Sequence, residues 1–125
     1  MLFFDRSTGK AIPTALRRLG VMVEFHGLHF ARDAEDDEWL QLVGQWGWFV
    51  VGQDYHYHLR PNELATLKQY SVGVFYLWGA QATKWETMRV FARAYDRILA
   101  AADSTPRPFI YRVQRTGPLR AVPLP

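Results

Sequence analysis

The chain has 125 residues, 49% apolar and 22% charged, which is one domain's worth of sequence with enough hydrophobic side chains to build a core. It has no cysteine, so disulfides, zinc–thiolate sites, iron–sulfur clusters and thiol nucleophiles are excluded. The formal charge of +3 is uneven, because the body up to Ser104 is near neutral while Arg107, Arg112, Arg115 and Arg120 follow with no acid among them.

Leu2 to Phe4 is a short apolar run ending at Asp5 and reads as a buried strand. Ser7-Thr8-Gly9 supplies turn residues, and Ile12, Ala15, Leu16 and Leu19 share one face of a helix over 11–19 that Gly20 ends. Val21 to Phe25 alternates as a second strand. A loop over 26–35 leads into an acidic cluster and a helix with Trp39, Leu40, Val43 and Trp46 on one side, stopped by Gly47. Trp48 to Val51 is wholly apolar, as a central parallel strand is. After Gly52-Gln53-Asp54 comes an aromatic loop through Arg60, a helix opened by Pro61 and Asn62, and a fourth strand over 72–77. Trp85, Met88, Phe91, Tyr95 and Ile98 mark a long last helix over about 82–101. Phe109-Ile110-Tyr111 and Leu119 to Val122 suit two short added strands.

This alternation predicts an α/β fold, a single three-layer domain with a central parallel sheet of four or five strands. Residues 1–104 are expected to form the domain, and 105–125 a basic, proline-rich extension packed on it. The N-terminus has no basic start or long apolar stretch, and no run approaches the roughly 20 residues of a membrane helix, so a soluble cytoplasmic protein without a membrane partner is expected.

In open parallel sheets, ligands bind beyond the carboxyl ends of the strands. Asp5 follows the first strand, Asp54 follows the third, and Asp36 opens the helix after the second, so topology carries all three to one edge. Crowded carboxylates stay ionised only around a cation; otherwise one holds a proton. Oxygen ligands suit Mg²⁺ or Mn²⁺, which neutralises phosphoryl charge, and a phosphodiester is the natural substrate. Each acid also has a local structural use as a cap or turn residue, and Asp33 or Asp37 is an alternative to Asp36.

Several segments are similar to a known family. Phe3-Phe4-Asp5-Arg6-Ser7, Ala15-Leu16-Arg17-Arg18-Leu19-Gly20-Val21, Asp36-Asp37-Glu38-Trp39-Leu40, Gly47-Trp48-Phe49-Val50-Val51-Gly52-Gln53-Asp54 and Arg60-Pro61-Asn62-Glu63 resemble PIN-like domains, especially the VapC-type toxin branch, over about residues 2–77. The resemblance implies a metal-dependent endoribonuclease, the toxin component of a toxin–antitoxin pair. It implies Asp5, Asp36 and Asp54 as catalytic metal ligands, Glu63 as a fourth acid, and Arg6 and Arg60 at the phosphate. The partners implied are an RNA substrate, a cognate antitoxin and a second copy of the chain in a homodimer.

There is one departure. Related sequences often carry an acid two residues after the strand-end Asp, where this chain has His56. That motivates an alternative: a catalytically degenerate module binding RNA or a protein partner. His56 and His58, flanked by Tyr55 and Tyr57, are expected to bind substrate, because such rings stack on unpaired bases. A zinc site on this H-x-H pair would need a third ligand from His26, His29 or an acid.

Overall fold

A computed structural model describes residues 1–125. Strands β1 (Leu2–Phe4), β2 (Val23–Phe25), β3 (Phe49–Gly52), β4 (Gly73–Leu77), β5 (Phe109–Val113) and β6 (Leu119–Ala121) form one sheet in the order β2-β1-β3-β4-β5-β6. The first five strands are parallel, and β6 is antiparallel to β5 at the edge. Helices α1 (Ala11–Arg18), α2 (Asp36–Gln45), α3 (Pro61–Gln69) and α4 (Lys84–Ser104) complete the three layers. No helix is long and apolar enough to cross a membrane.

The period-two alternation of the strands builds two cores. Leu2, Phe4, Val51, Phe75 and Leu77 pack on one face with Ile12 and Leu16 of α1 and Phe91, Ala94 and Ile98 of α4. Phe3, Val50, Val74 and Tyr76 pack on the other with Trp39, Leu40 and Val43 of α2 and Leu67 of α3. Burial on both faces is why the parallel strands read as unbroken apolar runs.

Three strands start later than their apolar runs suggest, for one shared reason. Val21, Trp48 and Val72 donate their amides back to Leu16, Val43 and Leu67 at 2.9, 3.1 and 3.0 Å. Each closes the preceding helix through a left-handed residue, Gly20, Gly47 or Ser71, with φ of 86°, 73° and 52°. These amides belong to helix caps and are spent before the sheet begins.

The segment beyond residue 104 supplies the two short strands that its sequence suits, and they extend the sheet itself. β5 pairs with β4 along its whole length, and Phe109, Ile110 and Val113 are buried. Its prolines do not interrupt the ladder: Pro106 and Pro108 precede β5, Pro118 precedes β6, and Pro123 and Pro125 follow it.

From β1 the chain steps to β2 on one side and then crosses to β3 on the other. That reversal opens a crevice beyond the carboxyl ends of β1 and β3. Asp5, Asp54 and the N-termini of α2 and α3 all stand there.

Candidate functional site

The floor of the crevice is stitched by Asp5. Its Oδ1 accepts the Ser7 amide at 2.9 Å and also the Ser7 hydroxyl, and its Oδ2 accepts the Tyr57 hydroxyl. Ser7 Oγ accepts the Gln53 amide at 2.7 Å, which ties the end of β1 to the end of β3. Gly52 makes room for this: a Cβ there would lie 2.1 Å from Asp5 Oδ2. Burial pushes the Asp5 carboxyl up to about 6, against the pull of the Ser7 and Tyr57 donors. Tyr57 is raised well above its ordinary value, first by burial and then by the negative charge of Asp5, Asp36 and Glu63.

Above that floor, Asp36 from α2, His56 from the loop after β3, and Glu63 from α3 converge. One ligating atom from each lies within 4.8 Å of the others. His56 Nε2 is 3.7 Å from Asp36 Oδ2 and 3.5 Å from Glu63 Oε2, and both His56 Nε2 and Glu63 Oε2 are buried without a hydrogen-bond partner. His56 is aimed by the turn before it. Tyr55 is left-handed at φ 49°, held by its hydroxyl on Leu77 O at 2.5 Å and by the Arg112 guanidinium 5.4 Å from its ring centre. The other imidazole nitrogen lies 3.2 Å from the Asp54 carbonyl oxygen, which has no proton to give, so Nδ1–H donates there and Nε2 faces the acids.

Asp36 is oriented by the Trp39 indole, which donates at 2.9 Å, and by an ion pair with Arg6. Burial raises its carboxyl, but donation from Glu63, Trp39 and Arg6 outweighs this and brings it below the ordinary range. Glu63, 7% exposed, moves the other way: burial and then the neighbouring Asp36 push it up to about 7. Arg60 lies 3.4 Å from Glu63 and 3.9 Å from Asp36. Glu35, Asp36, Asp37, Arg60 and Glu63 line an open cleft of ≈ 390 Å³ at this point.

A family model for a PIN like domain matches residues 1–79. The chain belongs to that family. No curated protein and no solved structure matches it. PIN like domains are commonly nucleases that use a divalent metal. In this PIN like domain the donor set fits such an ion. Ligand atoms on an octahedral ion with ~2.1 Å bonds lie ~3 Å apart, close to the 3.5 and 3.7 Å separations here. An imidazole fixed by a backbone carbonyl through its far nitrogen is also how ligating histidines are held.

Of the acids expected at the site, Asp36 and Glu63 meet directly. Asp5 and Asp54 are outside that group of three donors: Asp5 is committed to Ser7 and Tyr57, and Asp54, 62% exposed, has Oδ2 3.8 Å from His56 Nδ1. Asp33 and Asp37 are outside it too, though Asp37 lines the cleft. Arg6 and Arg60 flank the acids, the first paired with Asp36 and the second with Glu63. The two histidines of the H-x-H pair part company, because His58 turns to the Tyr76 hydroxyl at 2.8 Å. His29 pairs with Glu24 at 2.8 Å and His26 is buried among aromatic rings, so neither supplies a third ligand for that pair. Sequence reasoning missed His56 as a donor among the acids and Tyr57 as the partner of Asp5. The position of His56, where an acid is frequent, was the available signal for the first; nothing marked the second.

Proposed function

We propose that this PIN like domain is a divalent-metal-dependent endoribonuclease, the toxin component of a toxin–antitoxin pair. The observation that carries the reading is the convergence of Asp36, His56 and Glu63 around two buried atoms that have no partner within the chain. These three residues would hold the ion. The imidazole shifts an otherwise oxygen-only set toward Mn²⁺, with Mg²⁺ the alternative. Bound there, the ion supplies Lewis-acid polarisation of a phosphoryl oxygen and a more acidic water.

The chain's own groups do the rest. Arg60, with its side chain 59% exposed, and Arg6 present guanidiniums beside the acids, suited to gripping a phosphodiester through paired N–H donors. Trp39 and Arg6 fix the Asp36 carboxylate, so it is oriented before substrate arrives. Asp5 anchors the Tyr57 hydroxyl, and Asp54 offers an accessible carboxylate next to His56. On this reading the setting is the cytoplasm, and the partners are RNA, a cognate antitoxin and a second copy in a homodimer.

Purified protein is expected to cleave RNA with Mn²⁺ or Mg²⁺ and to stop in chelator. Glu63→Gln and Asp36→Asn should each slow cleavage by ~100-fold or more. Wild-type rates in both variants, with metal still required, would show that the assignment is wrong.

A second reading is a non-catalytic module for RNA or a protein. It is favoured by the internal partners of Asp5 and Asp36, which satisfy both acids without a cation. Melting with and without Mn²⁺ separates the two. A saturable rise in Tm belongs to the nuclease, and no rise together with no cleavage belongs to the module.

A further inference from the structure

A second surface, mostly outside the residues matched to the family, combines positive charge with aromatic faces. On α4, Trp85, Arg89 and Arg93 are spaced four apart and share one exposed side. The β5–β6 turn lies against the same helix: Gly117 is so close that a Cβ there would be 2.7 Å from Arg97 Nη1, and Arg93 Nη1 donates to the Arg115 carbonyl oxygen at 3.2 Å. This places the Arg115 guanidinium 5.3 Å from the centre of the Trp78 ring.

Two open clefts of ≈ 440 and 540 Å³ share Trp78, Thr83, Glu86 and Arg115, so they form one trough. It runs from Arg93 across Trp78 to Tyr55, and Tyr55 immediately precedes His56 of the acidic cluster. Arg89, Arg93 and Arg115 line it against a single acid, Glu86, which is engaged with Thr83 in the cap of α4. Trp78 is half-buried with part of its ring on the core, but core packing does not account for the rest, since Trp85 is 69% exposed and the three arginines are exposed too.

We propose that this trough is the track of a single-stranded RNA that leads to the acidic cluster. Guanidiniums along its walls meet the phosphates, and the indoles of Trp78 and Trp85 stack on unpaired bases, the combination that single-strand grooves use. A duplex presents no free base faces to such rings. The destination of the track rests on the nuclease reading, but its occupancy is measurable without cleavage.

The test is fluorescence anisotropy with a labelled oligouridylate of about 12 nucleotides, in chelator so that nothing is cut. The full-length protein is expected to bind it with an affinity that falls linearly with salt on logarithmic axes. Arg115→Glu and Trp85→Ala should each weaken binding about 5- to 50-fold, and Arg115→Glu should also flatten the salt dependence. Trp85 and Arg115 are both at the surface, so these variants keep the fold, which unchanged melting temperatures would verify.

The proposal is overturned if both variants bind within twofold of wild type, or if a duplex of equal length binds as tightly as the single strand. Displacement of the RNA by polyglutamate as readily as by unlabelled RNA would also overturn it, pointing to an acidic protein as the occupant. Glu63→Gln separates the two readings: if it still cleaves, the acidic site is misassigned, while the binding result in chelator stands.

Discussion

Asp5 shows how a site residue is fixed by its surroundings. Its carboxyl, ordinarily at 3.8, rises to about 6 in the fold because burial outweighs its hydrogen bonds. The native state therefore holds this proton more tightly than the unfolded chain does. The stabilisation is complete below about 3.8 and is lost as pH rises through about 6, a difference of about 3 kcal/mol. Glu63 acts with the same sign between 4.5 and about 7. In chelator, melting temperature should thus fall as pH rises through this window, and Asp5→Asn should make the fall shallower by removing its lower part. Equal slopes for wild type and variant would refute the account. Gly52 belongs to the same arrangement. Gly52→Ala should displace Asp5 from Ser7 and Tyr57 and lower stability by about 1–3 kcal/mol, read by denaturant unfolding.

At the scale of elements, the ends of helices decide where strands begin. Glycine marks the left-handed stop at residues 20 and 47, so these boundaries were legible in the sequence to within two residues. The third stop is Ser71, at φ 52°, where no glycine announces it. An L-residue pays a conformational penalty there that glycine does not. Ser71→Gly should therefore stabilise the domain by about 1 kcal/mol, read as a higher Tm with unchanged activity. The start of α4 was blurred in the same way. Thr83 Oγ1 accepts the Glu86 amide at 3.1 Å and caps the helix, so it begins at Lys84, and it runs on to Ser104.

At the scale of the molecule, the sheet is completed by the part of the chain that looked least like domain. β5 covers the open side of β4, and Phe109, Ile110 and Val113 fill both cores. Burying such side chains is worth about 1.5–3 kcal/mol each, and the sum rivals the net stability of a small domain. A chain ending at residue 104 should therefore fail to fold, giving no cooperative melting transition and rapid proteolysis. A cooperative transition near that of the whole chain would contradict this. Arg89, Arg93 and Arg97 of α4 gather with Arg115 of the β5–β6 turn on one side of the molecule, while Arg112 and Arg120, opposite each other on β5 and β6, lie on the other face of the sheet.

The order of strands and helices and the acids at the strand ends could be read from the sequence, because periodicity and turn residues act locally and parallel topology carries strand ends to one edge; Glu63 entered only through the family resemblance. What the side chains of Asp5 and His56 meet could not be read from the sequence. A buried hydroxyl on Tyr57 claims one, and a left-handed Tyr55, held by Leu77 and Arg112, aims the other. Both partners are far away in sequence or depend on a backbone turn that Tyr55 would not adopt by itself. The strand over 109–113 was legible in its apolar triplet, but where it pairs was decided by the uncovered flank of β4.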